Sequence, residues 1–343
     1  MRILLTADPE LPVPPVLYGG IERIVDALAR GLAGCGHEVG LVARDGSSCS
    51  AGPIFPWAAG SSHGAANTLR NTLTLRGAVS RFRPDVIHSF SRLAYLLPLL
   101  AGRRPAIMSY QRHTGGRQVA MAAKLGGPRL HFTGCSEFIC RQGREAGGVW
   151  TSVHNFVELA KFSFVPRVAG DAPLVFLSRI ERIKGAHSAI AIARTAGRRL
   201  ILAGNHATSG PDGEYWRREI EPHLGREGVE WVGEVDDSAK NALLGRAAAL
   251  LVPIQWDEPF GIVFAESLAC GTPVISSPRG ALPEIVQQGV TGFLVNTEAE
   301  GVEAVRHLGQ LSRADCRRAA EERFSSEIAT ARYLDLYRSM GGL

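Results

Sequence analysis

Short apolar runs bounded by glycine, proline and polar residues alternate along this chain with longer stretches whose apolar positions return every three or four residues. The first kind predicts strands and the second helices. In the first half the runs MRILLTA (1–7), EVGLVAR (38–44), PDVIHSF (84–90), PAIMSYQ (105–111) and LHFTGCS (130–136) read as strands. Between the first two, YGGIERIVDALARGLAGCGH carries Ile21, Ile24, Val25, Leu28 and Leu32 at helical spacing, with Gly34 and Gly36 closing the helix. LAYLLPLLAG (93–102) is interrupted by Pro98 and reads as a buried helix. Ser136 and Asp236 read as helix caps.

The same alternation restarts after the loop-like segment 154–173. PLVFLSR (173–179), RRLILAG (198–204), VEWVG (229–233), ALLVPI (249–254), TPVISSP (272–278) and TGFLV (291–295) read as strands, with helices over 185–197 and 237–248. Strands alternating with helices predict α/β architecture: two doubly wound Rossmann-like parallel sheets. The expected division is 1–165, 166–325 and a terminal helix in 326–343, which in such two-domain enzymes often crosses back to the first domain.

Composition narrows the class. At 343 residues, 45% hydrophobic and 21% charged, this is a soluble globular composition, and no run approaches a membrane span. MRILLTADPE lacks the organisation of a signal peptide, and six cysteines without a CxxC pair read as reduced thiols, so a cytoplasmic protein is expected. Charge is uneven: residues 1–160 carry 17 Lys/Arg against 10 Asp/Glu, and residues 161–343 carry 21 against 23. A basic first half suits an acidic substrate or a peripheral contact with an anionic membrane, and equally fits arginine scattered over a surface. No Asp-x-Asp motif and no His/Cys cluster with ligand spacing is present, so no metal and no resident cofactor is expected.

The stretch EPFGIVFAE (258–266) places a carboxylate at each end of an apolar run. Pro259 disfavours helix at Glu258, which puts Glu258 in the loop after ALLVPI and Glu266 inside a helix running from about Gly261 to Ala269. Ligands of open parallel sheets bind at the carboxyl ends of strands, and the amides of Phe260, Gly261 and Ile262 at that helix start suit a phosphate. Carboxylates beside it suit the hydroxyls of a diol. Taken by spacing alone, Glu258 fits a helix-start residue and Glu266 a solvated face equally well.

Over EPFGIVFAESLACGTPVISSPRGALPEIVQQGVTGFLV the chain resembles the retaining glycosyltransferases of family 4, which have the GT-B fold. The Glu-x7-Glu motif is intact at Glu258 and Glu266; YGGIE (18–22) resembles the glycine pair after the first strand, and SRIERIKG (178–185) the Arg-x4-Lys element. The resemblance implies two domains facing a cleft, the first binding an acceptor and the second a nucleotide sugar. It implies that Glu266 binds ribose, Glu258 the donor sugar, and Arg179 and Lys184 the diphosphate, with Gly19, Gly20 and the amides of Phe260, Gly261 and Ile262 approaching the phosphates. The base would sit near Glu234 and Val235, with UDP ahead of GDP as the donor nucleotide. His113, beside Arg112, and His88 are the first-domain candidates for the sugar. Phe156, the run Gly204-Asn205-His206 and Arg279 depart from the family pattern.

The implied reaction moves a sugar from a nucleoside diphosphate to an acceptor hydroxyl with retention and without a metal; nucleic acid is not an expected partner. The acceptor is left open among lipid-linked sugars, polysaccharides and antibiotic oligosaccharides. A nucleotide-sugar epimerase of similar fold and a non-catalytic nucleotide binder are the alternatives.

Overall fold

The computed structural model describes residues 1–15 and 19–341. Tyr18, the first residue of the YGGIE motif, lies outside the described residues. The chain forms two compact units, Met1–Phe156 with the chain from Ser326 onward, and Val157–Ser325.

The first unit runs β1 (Arg2–Thr6), α1 (Gly20–Gly34), β2 (Glu38–Ala43), β3 (Ile54–Pro56), α2 (Ala65–Phe82), β4 (Val86–Ser89), α3 (Leu93–Leu96), β5 (Ala106–Tyr110), α4 (Gly116–Gly126), β6 (Leu130–Gly134), α5 (Glu137–Glu145) and β7 (Val149–Ser152). The second runs β8 (Leu174–Leu177), α6 (Ala186–Thr195), β9 (Leu200–Ala203), α7 (Gly210–Tyr215), β10 (Val229–Trp231), α8 (Asp237–Arg246), β11 (Ala249–Val252), α9 (Ile262–Ala269), β12 (Val274–Ser276), α10 (Leu282–Ile285), β13 (Gly292–Leu294), α11 (Glu298–Arg306) and α12 (Arg313–Arg323). Helix α13 (Ser326–Gly341) belongs to the first unit.

Strand order is β3-β2-β1-β4-β5-β6-β7 in one sheet and β10-β9-β8-β11-β12-β13 in the other, with every pairing between named strands parallel. The winding therefore reverses between β1 and β4, and again between β8 and β11, which are the switch points where such sheets take ligands. The central strands β8, β9 and β11 are buried at all four residues, as expected of a sheet covered on both faces.

Residues 157–165 pack with the second unit: the Val165 amide donates to the Cys270 carbonyl and the Ser163 amide to Asn241 Oδ1. The break at Phe156 thus precedes the one expected near residue 165, because the backbone donors of this segment find their acceptors in the second unit. Helix α13 lies against α1, where a Cβ on Gly31 would stand 2.6 Å from Thr330 Oγ1.

Several elements were not read from the pattern: β3, β7, α2, α4, α7, α10, α11 and α12. β3 and β7 are short sheet edges, and α2 buries only a thin apolar stripe of Leu75, Val79 and Phe82, with further leucines on its outer face. The run 93–102 is a short helix followed by a 3-10 turn, Leu97–Leu99, built around Pro98. The caps are in place, Ser136 Oγ accepting from the Ile139 amide at 3.2 Å and Asp236 Oδ1 from the Ala239 amide at 2.7 Å.

Candidate functional site

The chain leaves β8 through Ser178 and Arg179 and makes a 3-10 turn, Arg182–Lys184, that ends on Gly185. Gly185 has φ +78°, and a Cβ there would lie 2.1 Å from the Pro253 carbonyl oxygen. Only glycine lets this turn press against the segment that leaves β11. The Gln255 amide completes the join by donating to the Ile183 carbonyl at 2.8 Å. As a result Lys184 Nζ reaches Glu258 Oε2 at 2.6 Å across the switch point, with both side chains about nine-tenths buried.

Glu258 is held from two further directions. Trp256 Nε1 donates to the same carboxylate oxygen at 2.9 Å, and the Trp256 ring lies 4.6 Å from the Lys184 ammonium. Beneath it, Gly280 (φ +59°) packs so closely that a Cβ would sit 2.2 Å from the Glu258 carbonyl oxygen, which accepts from the Ala281 amide at 2.9 Å. Arg179, about half exposed, pairs with Glu181 at 2.5 Å.

Helix α9 starts immediately after this loop. Gly261, at φ +81°, caps it, and the Ile262 amide opens its first turn, where amides lack intrahelical acceptors and the dipole is positive. The Phe260 side chain is 1% exposed and packs edge-on against Phe324, which turns it into the core. One turn into α9, Glu266 is 8% exposed and its Oε1 accepts from Lys240 Nζ at 2.5 Å. Glu234 is exposed and Val235 half-buried in the loop between β10 and α8. The structure thus brings Lys184, Glu258, Gly261, Ile262 and Glu266 to one end of the second sheet, with Arg179 on the neighbouring strand end.

The remaining candidates lie in the first unit. Gly19 caps α1 at φ +147°, and a Cβ on it would lie 2.6 Å from Pro15 Cβ; Gly20 is the first helical residue. His113 is exposed after β5, with Nδ1 3.0 Å from Gln142 Oε1 and its ring edge-on to Phe138. Arg112 reaches Asp8, two residues past the end of β1, at 3.2 Å. Burial pushes the Asp8 carboxyl up to about 6 despite Arg112, and burial also raises Glu22 in the first turn of α1.

His88 is not a lining residue. It is fully buried on β4, with Nδ1 2.6 Å from Tyr337 Oη of α13 and Nε2 2.6 Å from Ser109 Oγ of β5. Burial holds its imidazole neutral, down to about 3. A strand-end position in sequence did not disclose that the side chain points under α13.

Sequence reasoning missed Lys240, Trp256, Gly280 and Asp8. Lys240 is one of only four lysines in the chain and sits in the first turn of α8, which is the signal that was there to use. Among the described residues no group of three or more His, Cys, Asp or Glu side chains is arranged to hold a metal ion, and no helix is long and apolar enough to cross a membrane.

Known proteins share this architecture. Residues 18–160 match the family model described as Glycosyltransferase Family 4, and residues 161–323 match the model described as Glycosyl transferases group 1. A glycogen synthase of Mycobacterium tuberculosis is 28% identical over 350 aligned positions, covering 85% of this chain and 81% of that protein. The crystal structure of AviGT4, a glycosyltransferase involved in avilamycin A biosynthesis, superposes with a TM-score of 0.71 at 25% identity over 100% of this chain and 98% of that one. HepE of Anabaena, in complex with UDP-glucose, superposes with a TM-score of 0.75 at 18% identity, covering 99% of this chain and 100% of that one. With two family models matched in series along two parallel-sheet units, the chain belongs to the family 4 type of glycosyltransferase with the GT-B fold.

Proposed function

We propose that the protein transfers a sugar, with retention at the anomeric carbon, from a nucleoside-diphosphate sugar to an acceptor hydroxyl, UDP being the favoured nucleotide. The observation that carries this reading is the pair of buried Lys–Glu contacts, Lys184–Glu258 and Lys240–Glu266, flanking the start of α9 at the sheet's switch point. A carboxylate fixed by a cation on one oxygen offers its other oxygen to a diol, so Glu266 suits the ribose and Glu258 the hydroxyls of the sugar. The amides of Phe260, Gly261 and Ile262 suit the phosphates between them.

As the glycosidic bond breaks, its electron pair goes to the diphosphate oxygen, where negative charge grows. Lys184 is prepositioned for that charge, and Arg179, held by a single exposed pairing with Glu181, can swing to it. Cations aimed at developing charge contribute more in the transition state than in the ground state. The acceptor hydroxyl attacks the same face of the sugar and passes its proton to the departing phosphate oxygen, which needs neither a metal nor a carboxylate nucleophile. The bound UDP-glucose of HepE supports the donor class. Placement of the base near Glu234 and Val235, and parts for Gly19, Gly20 and His113, rest on the family resemblance, as does acceptor binding by the first unit. A cytoplasmic location accords with the chemistry of a nucleotide sugar.

Incubation with radiolabelled UDP-sugars and GDP-sugars tests the reading. Slow release of free sugar of retained configuration, seen by proton NMR, is expected from a UDP-sugar. Inversion within the intact nucleotide sugar would make the protein an epimerase, and binding without any turnover would leave a nucleotide-binding protein.

A further inference from the structure

The first unit has one chemically unusual face. Residues 46–136 contain eleven Lys or Arg and a single acid, Asp85, which sits at the start of β4 and accepts from the Arg2 amide at 2.7 Å. This stretch supplies α2, α3 and α4. Helix α2 connects β3 to β4 and α4 connects β5 to β6, and both steps cross the sheet in the same direction. Right-handed crossovers then put both helices on the same face. Their inner residues agree, since Leu75 and Val79 of α2 share one buried cluster with Val119 and Ala122 of α4.

Outwardly both helices repeat one pattern. α2 exposes Leu69 at 61% and Leu73 at 57%; α4 exposes Met121 at 46% and Leu125 at 55%. Each pair is spaced i, i+4, so it forms a short apolar ridge on the solvent side, and each ridge has an exposed cation beside it, Arg70 and Lys124. The opposite face of the sheet is mixed in charge: α13 exposes Glu327 and Asp335 beside Arg332 and Arg338, while Glu22 and Asp26 of α1 are buried.

We infer that the α2–α4 face of the first unit docks on a bilayer leaflet containing anionic phospholipid. Cations alone would serve any polyanion, but a polyanion gives leucine and methionine nothing to bury against. An anionic lipid surface satisfies both, taking the aliphatic tips at the headgroup–acyl boundary and the cations at the phosphates. The face would then hold the enzyme at a surface by many weak contacts, reversibly, without a spanning segment. This inference does not rest on the transferase reading.

The test is sedimentation of the full chain with sonicated vesicles of phosphatidylcholine alone and of phosphatidylcholine mixed with phosphatidylglycerol. Binding is expected only to the anionic vesicles, weakening as salt is raised. The quadruple variant Leu69→Ser, Leu73→Ser, Met121→Ser, Leu125→Ser should lose about tenfold or more of that binding, and Arg70→Gln with Lys124→Gln should reduce both the binding and its salt dependence. All six side chains are exposed, so circular dichroism and the affinity for UDP should stay as in the parent protein. Failure to sediment with anionic vesicles at low salt overturns the inference. So does unchanged binding by the quadruple serine variant, which would leave a cation-only attraction to polyanions.

Discussion

The two units share a parallel doubly wound sheet, yet their buried polar groups lie in different places. In the second unit they sit at the strand ends as Lys–Glu pairs: Lys184 with Glu258, Lys240 with Glu266. In the first a buried hydrogen-bonded network lies inside the sheet layer. His88 on β4 bonds Ser109 on β5, Ser109 bonds Thr133 on β6, and Tyr337 of α13 closes the chain over His88. The difference separates two uses of buried polarity. A network whose members satisfy one another fixes how elements pack, whereas a paired charge at a switch point retains acceptor or donor capacity for a ligand. Variants in one unit should therefore cost stability, and variants in the other should cost substrate.

The largest effect is expected at His88. His88→Ala strands the Tyr337 hydroxyl and Ser109 in the interior and opens a cavity, which should cost roughly 3–5 kcal/mol. Chemical denaturation followed by circular dichroism measures it. Affinity for UDP, assigned by the proposed function to the other unit, should be unchanged at a temperature where the variant is folded; loss of UDP affinity there would erase the proposed division of labour.

In the second unit, Lys184→Ala and Arg179→Ala should each lower turnover about a hundredfold at saturating donor, the scale of losing one donor to a developing oxyanion. EDTA should leave turnover where it was. Near-normal turnover in both variants would place the stabilising charge elsewhere. Glu266→Ala should weaken free UDP by about 2 kcal/mol in calorimetry, the worth of a charge-assisted hydrogen bond. Glu258→Gln should spare that affinity and lose turnover, since its proposed partner is the sugar. If the two glutamates lose UDP affinity equally, their assignments to ribose and sugar collapse into one.

The same contrast explains what was legible in the chain. Arg179, Lys184 and Glu258 lie in short segments leaving strand ends and Glu266 one turn into the helix that follows, all at fixed spacing, so a linear pattern carries their geometry. Lys240 escapes such a pattern because it meets Glu266 from another helix, 26 positions away. Trp256 was passed over since its contribution, an indole N–H and a ring against Lys184, depends on how the loop folds back. His88 was open to two readings because its partner Tyr337 is 249 positions distant. The strands with continuous apolar runs were plain, and α2 was not, since its buried stripe is thin and its outer face itself carries leucines.

The smallest effect tests the one place where the first unit resembles the second. Asp8 stands at the end of β1 next to Arg112, and burial still pushes its carboxyl from 3.8 up to about 6. Its folded pKa exceeds its unfolded one, so the folded protein binds more protons between about pH 4 and pH 6. Its contribution is therefore fully present at low pH and is lost as pH rises through 6. Asp8→Asn removes that slope. The rise from 3.8 to about 6 already includes the opposing pull of Arg112 and sets an upper limit of about 3 kcal/mol; water relaxing around this strand-end carboxyl lowers it to a gain on the order of 1 kcal/mol at pH 7 relative to pH 4. His88 pulls in the opposite sense: its pKa falls on folding, so its contribution is present above about 6.5 and is lost as pH falls toward 3. Both proteins carry His88, so it cancels when their melting temperatures are subtracted. The difference between Asp8→Asn and the parent should grow from pH 4 to pH 7. A constant difference would mean that Arg112 fully offsets burial, and that this strand end is an ordinary ion pair.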